Sequence, residues 1–214
     1  LNRARIGRGA IYVFRETNGF FEETQRLTPS EWTTVDYLFG FGLAISGDLI
    51  AANIYYDDGG DDTYLAEAAS QGASAVVSGL LLDLGGNDVR RAYTMAQGFG
   101  YARGAGLLYD VAGDDQYLMD PGDPTVGGDP LYISGQRPGR ANTSLGQGFG
   151  FGRRADFTDR GFMSGGLGIL RDLAGADRYE ASIFAQGGGF WMGSGILADA
   201  AGDDSYDALW YAMA

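Results

Sequence analysis

One motif, Asp-x-x-Gly-x-Asp-x-Tyr, recurs five times along this chain, and an internal repeat constrains a fold more tightly than composition does. It stands as Asp57/Gly60/Asp62/Tyr64, then as Asp83/Gly86/Asp88 with Arg90 in the Tyr slot. It returns as Asp110/Gly113/Asp115/Tyr117, Asp172/Gly175/Asp177/Tyr179 and Asp199/Gly202/Asp204/Tyr206. The first aspartates are 26, 27, 62 and 27 residues apart, so the long interval reads as two periods plus insertions, at 118–146 and about 153–165. A second marker keeps the same register: Gln71, Gln97 and Gln186 each follow their first Asp by 14 residues, and each precedes a Gly. Gln147-Gly148-Phe149-Gly150 takes the same part after the first insertion.

Short apolar runs precede the last four Asp turns: Gly79–Leu82, Gly106–Tyr109, Gly168–Arg171 and Gly195–Ala198. Runs this short, bounded by Gly and Asp, predict strands rather than helices. The residues two and three positions before each of these aspartates are both apolar, which predicts a strand covered on both faces. Gly at alternate positions in 98–106, 148–152 and 187–195 would strip one strand face and let another backbone approach. The expected fold class is all-β: a repeat β-solenoid of period 26–27 over 57–214, with an N-terminal β-meander blade or cap over 1–56.

Stacked repeats would set equivalent aspartates about 4.8 Å apart. Like charges at that spacing repel by roughly 3 to 4 kcal/mol at an effective dielectric near 20. Protonation, Arg pairing or a bound cation must offset this, and Arg90 and Arg178 are the obvious arginines in the turns. A divalent cation held by Asp57, Asp62, Asp83, Asp88, Asp110, Asp115, Asp172, Asp177, Asp199 and Asp204 is the economical expectation, and oxygen ligands suit calcium. The competing reading makes each Asp the cap of its own turn.

Composition agrees with oxygen-ligand chemistry, because 22 of the 28 acidic residues are Asp. A net charge of −13 excludes nucleic acid and anionic membranes as partners. The chain has no Cys, His or Lys, which removes thiolate chemistry, a Ser-His-Asp triad and a P-loop. No run approaches the 18 to 20 apolar residues, roughly, of a membrane helix. An opening Leu-Asn-Arg without a signal pattern predicts a mature product or a fragment, and a Cys-free acidic chain suits bacterial export.

The turns Gly85-Gly86-Asn87-Asp88, Ala112-Gly113-Asp114-Asp115 and Ala201-Gly202-Asp203-Asp204 resemble the calcium turns of RTX nonapeptide proteins. That resemblance implies calcium between coils, with Asp62, Asp88, Asp115, Asp177 and Asp204 as carboxylate ligands. The period of 26–27 residues, with one Asp turn per repeat, departs from consecutive nonapeptides.

Residues 1–56 lack the motif and carry denser charge. A strand is expected over 10–15, a turn at 17–19, a second strand over 20–27, and a hairpin of Phe41–Ser46 with Leu49–Ile54. Gly9–Phe14, Gln25–Thr28, Asp36 with Phe39-Gly40, and Ala44–Asp48 resemble an FG-GAP repeat, the blade unit of integrin-type β-propellers. Ala52-Asn53-Ile54 stands where that family carries Gly-Ala-Pro, and its calcium loop would correspond to Asp57–Asp61.

These features predict no enzyme but a secreted calcium-binding structural or adhesive protein of a surface or matrix, able to self-assemble. The alternative is a carbohydrate-active β-helical enzyme, a polysaccharide lyase or hydrolase. Its site would use Asp120, Asp123, Asp129, Tyr132, Arg137 and Arg140 of the longer insertion. A third reading is an adhesin that binds a polysaccharide or a surface protein through Trp191, Tyr206, Trp210 and Tyr211.

Overall fold

The computed structural model describes residues 11–17, 20–27, 52–75, 78–119, 142–154 and 161–212. The chain divides into two compact units, Leu1–Phe39 and Gly40–Ala214. In the first, β1 (Ile11–Thr17) and β2 (Phe20–Leu27) pair antiparallel, with a register shift between Val13 and Phe14. These are the two strands expected at 10–15 and 20–27.

The second unit holds three parallel sheets, and the described residues contain no helix. The first sheet is built from β3 (Ala52–Asp57), β6 (Ser78–Asp83), β9 (Ala105–Asp110), β12 (Leu167–Arg171) and β15 (Ser194–Ala198). The second contains β4 (Thr63–Leu65), β7 (Val89–Ala92), β10 (Gln116–Met119), β13 (Arg178–Glu180) and β16 (Ser205–Asp207). The third has β5 (Ser74–Ala75), β8 (Gly100–Tyr101), β11 (Gly150–Phe151) and β14 (Gly189–Phe190). Within each sheet the strands lie side by side in chain order, so successive repeats are neighbours in all three. Pairing is residue for residue: Asp57 with Asp83 and Asp83 with Asp110, Tyr117 with Tyr179 and Tyr179 with Tyr206.

This register corrects the expected repeat count. β9 pairs directly with β12, and β10 with β13, so the interval of 62 residues from Asp110 to Asp172 is one repeat, not two. Its additional residues fall between Met119 and Asn142 and between Arg154 and Leu167, and the strands on either side keep their pairing. Ala52–Asp57 is a parallel strand of the first sheet, so residues 52–56 pair with the repeats; Phe41–Ser46, the first strand of the expected hairpin, lies outside the described residues.

The apolar runs alternate as strands should. Leu81, Leu108 and Leu170 face inward and are buried, while Leu80, Leu107 and Ile169 face outward and are half-buried. Ile54 and Ile196, on the first and last strands of the sheet, are 59% and 45% exposed. The outer face is therefore only partly covered, against the expectation of cover on both sides.

The Gly-rich segments are not long strands. β8, β11 and β14 are two residues each, because Gly98, Gly148 and Gly187 before them take positive φ. The interior there is one backbone against another: a Cβ on Gly106 would lie 2.1 Å from the Phe99 carbonyl oxygen, and one on Gly168 2.2 Å from that of Phe149. The motif glycine is constrained in the same way. A Cβ on Gly113, at φ +150°, would sit 1.6 Å from the Gly86 carbonyl oxygen of the previous repeat. At Gly60, in the first repeat, the nearest atom to an added Cβ is 3.4 Å away. Gly113→Ala should therefore cost about 2–4 kcal/mol in chemical denaturation, and Gly60→Ala about 1 kcal/mol, since only the first adds overlap to backbone strain. Equal losses would show that close approach is not what selects the motif glycine.

Candidate metal centre

Eight of the ten motif aspartates give Oδ1 to a backbone N–H. In the first column, Oδ1 of Asp57, Asp83, Asp110 and Asp172 accepts the N–H two residues on, at 3.0–3.1 Å, closing an Asx turn. In the second column, Oδ1 reaches across to the preceding repeat. Asp62 N–H donates to Asp88, Asp88 to Asp115, Asp115 to Asp177 and Asp177 to Asp204, at 2.7–3.0 Å. A third, exposed series runs the opposite way: Asn87 N–H donates to Asp61 Oδ1, Asp114 to Asn87 and Ala176 to Asp114. The turn-capping reading thus describes Oδ1 of Asp57, Asp83, Asp110 and Asp172, while the second column clasps the neighbouring repeat instead.

The other oxygens point at the Tyr slot. Tyr64 donates to Asp83 Oδ2 at 2.7 Å and to Asp57 Oδ2 at 3.0 Å, and Tyr117 donates to Asp172 at 2.5 Å. Tyr179 and Tyr206 both donate to Asp199 Oδ2, at 3.0 Å. The tyrosine rings stack at the strand spacing, with Tyr117 and Tyr179 centroids 4.8 Å apart and those of Tyr179 and Tyr206 4.7 Å apart. Arg90 enters this stack between Tyr64 and Tyr117, its guanidinium carbon 5.0 and 5.2 Å from their centroids. Fully buried, it binds four aspartates: Nη2 meets Asp83 at 2.6 Å, Asp88 at 2.7 Å and Asp110, and Nη1 lies 3.1 Å from Asp115. Arg178, the other arginine singled out in the sequence, turns outward to Glu180.

Three groups of carboxylates bring their oxygens within 4.8 Å of one another: Asp83/Asp88/Asp110, Asp110/Asp115/Asp172 and Asp172/Asp177/Asp199. Seven of the ten expected ligands thus come together, while Asp57, Asp62 and Asp204, in the first and last repeats, join no such group. Buried carboxylate clusters of this kind could hold a metal ion.

One buried arginine meets four of the motif aspartates, and burial with neighbouring negative charge raises Asp88, Asp110, Asp172 and Asp177. Burial pushes Asp110 up to about 8, against the pull of Arg90 and with Asp115 repelling. Burial also lifts Asp177 to about 7 and raises Asp172. Asp88 rises to about 7 through burial and a proton shared with Asp83; Asp83 sits below its ordinary value, because Asp88, Tyr64 and Arg90 outweigh its own burial.

The glutamines were a periodic marker in the sequence with no assigned task. Gln71, Gln97, Gln147 and Gln186 are buried and left-handed, with φ of 50–53°. Gln147 Nε2 donates to the Tyr117 carbonyl of its own repeat at 2.8 Å and to the Glu180 carbonyl of the next at 3.0 Å. Gln71 and Gln186 bridge neighbouring repeats in the same way. An x-Gln-Gly triplet phased to the Asp turn was the available signal.

Asp120, Asp123, Asp129, Tyr132, Arg137 and Arg140 lie outside the described residues. Trp191, Tyr206, Trp210 and Tyr211 are all exposed near the last repeat. No family model, no curated protein and no solved structure matches this chain.

The raised carboxyls give metal-free protein a defined pH response. Their folded pKa values of about 7 to 8 exceed the unfolded value near 4, so the folded state binds more protons between those limits. Their stabilising contribution is full below about pH 4 and is lost as pH rises through about 7 to 8. The melting temperature in chelator should therefore fall by several degrees from pH 4.5 to pH 8. A rise over that range would mean the cluster is held ionised and paired.

Proposed function

We propose that the repeats wind as coils of a β-solenoid that serves as a calcium-binding structural or adhesive module, outside the cell or on a bacterial surface. One observation carries this reading: two columns of aspartates cross five repeats, and a single arginine is the only cation among them in the described residues. Divalent cations neutralise such columns without the desolvated side chain that each further arginine would add. The likeness of the Gly-Asp turns to RTX calcium turns points the same way. The millimolar calcium that extracellular sites use would keep weak cages filled.

Catalysis by these carboxylates is disfavoured by burial. Asp83, Asp88, Asp110, Asp115, Asp172 and Asp177 are each at most 2% exposed, so no polysaccharide reaches them. A binding role draws support from the last repeat, where Trp191, Trp210 and Tyr211 are 37%, 49% and 52% exposed beside strands that have one neighbour each among the described residues. Aromatic faces there would suit sugar rings, and open strand edges would suit another copy of the chain.

The deciding experiment is thermal unfolding with calcium and with excess chelator, with bound metal quantified in parallel. A ligand of the folded state adds about 2.7 kcal/mol at a hundredfold excess over its dissociation constant. The expected result is a melting temperature several degrees higher in calcium. Identical melting temperatures with no bound metal would sink the calcium reading and leave the aspartates as turn and ladder formers.

A further inference from the structure

The three carboxylate groups are not equivalent, and the difference lies in the Tyr slot. In Asp83/Asp88/Asp110, Arg90 Nη2 contacts all three carboxylates. In Asp110/Asp115/Asp172, Arg90 serves Asp110 and Asp115, and the Tyr117 hydroxyl serves Asp172 and Asp115. In Asp172/Asp177/Asp199 no cation is present among the described residues, and the nearby donors are the hydroxyls of Tyr117 to Asp172 and of Tyr179 and Tyr206 to Asp199. Asp177, 2% exposed, keeps Oδ2 buried with no partner, and so does Asp199 with its Oδ1. A buried carboxylate oxygen without a donor costs more than its hydrogen bond would return, so this group is short of one positive charge.

Resting on the calcium reading above, we propose that the metal is confined to the Asp172/Asp177/Asp199 cage, and that Arg90 is a tethered cation replacing it at Asp83/Asp88/Asp110. Size agrees: calcium lies about 2.3–2.6 Å from its oxygens, so ligands up to about 5 Å apart share one ion. The cage oxygens are within 4.8 Å of one another. Asp172 Oδ1 and Asp177 Oδ1 stay on their backbone N–H groups, and the remaining oxygens face the ion. The Tyr179 hydroxyl, bonded to Asp199, is placed to add a neutral oxygen. The guanidinium spreads one charge over four aspartates, where each metal-loaded cage would take three.

Two substitutions test this, read by bound calcium per chain and by tyrosine-sensitised terbium emission with calcium as competitor. Wild-type protein should bind one tight ion. Asp177→Asn keeps the Oδ1 acceptor for the Asp115 N–H but removes a cage charge, and should weaken binding at least tenfold. Arg90→Tyr restores the motif residue and reopens the first group, so in calcium it should bind a second ion. Two or more tight ions in wild-type protein, unchanged binding by Asp177→Asn, or a single ion in folded Arg90→Tyr would each overturn the assignment while leaving calcium binding in place. If Arg90→Tyr does not fold, Asp177→Asn decides alone. No bound ion in any of the proteins at millimolar calcium would instead remove the calcium reading itself.

Discussion

The carboxylates of the inner repeats hold two structures together at once. Their Oδ1 atoms close a turn or clasp the neighbouring repeat, and Oδ2 of Asp83, Asp115 and Asp172 meets tyrosine hydroxyls in a buried column. Neutral acceptors such as Asn serve the first task, as Asn87 does in the exposed series. The inner columns nevertheless hold Asp throughout, and the accumulated charge has to be met from inside. Arg90 meets it in the middle of the array by taking a tyrosine's place between two rings. A guanidinium fits that slot because it is as flat as the phenol it replaces and carries donors around its edge.

The same economy governs the packing. The interior is narrow where the sheets meet, and glycine lets one backbone lie on the next. Large buried side chains recur at a few levels: the inward leucines, the tyrosine stack, the left-handed glutamines, Met119 and Ile183, and Phe99 with Phe149 beside Leu145 and Ala73. The left-handed glutamines turn the chain between the second and third sheets and bind carbonyls on either side of a repeat boundary. Strain at a non-glycine residue is tolerated there because two hydrogen bonds and complete burial hold it in place.

Much of this was legible in the sequence. The period, the strand preceding each Asp turn and the pairing of equivalent aspartates followed from the spacing of Asp, Gly and Tyr. The spacing did not say that Asp110 and Asp172 are neighbours, because a chain excursion and an extra repeat lengthen an interval alike. It also placed residues 52–56 with the N-terminal segment, because Asn53 and Tyr55 stand where the next run has Gly79 and Leu81. The role of Arg90 was hidden for a different reason. An arginine in a tyrosine position reads as a lapse of the motif, and its explanation needs the next repeat, whose Asp110 and Asp115 join Asp83 and Asp88 of its own around it.

The clasps have a direction. The inner aspartates take N–H groups from the repeat before, and the exposed series takes them from the repeat after. The first three boundaries carry the same pair of opposed bonds, and at the last Ala176 offers no side-chain acceptor for the exposed series. Where the pair is complete, a whole repeat can be added or removed without leaving a donor stranded. Removing a handful of residues inside a repeat shifts one series against the other and breaks both. Lineages of such chains should therefore grow and shrink by duplication and loss of whole units of about 27 residues, with irregular length admitted only between paired strands, as between Met119 and Asn142.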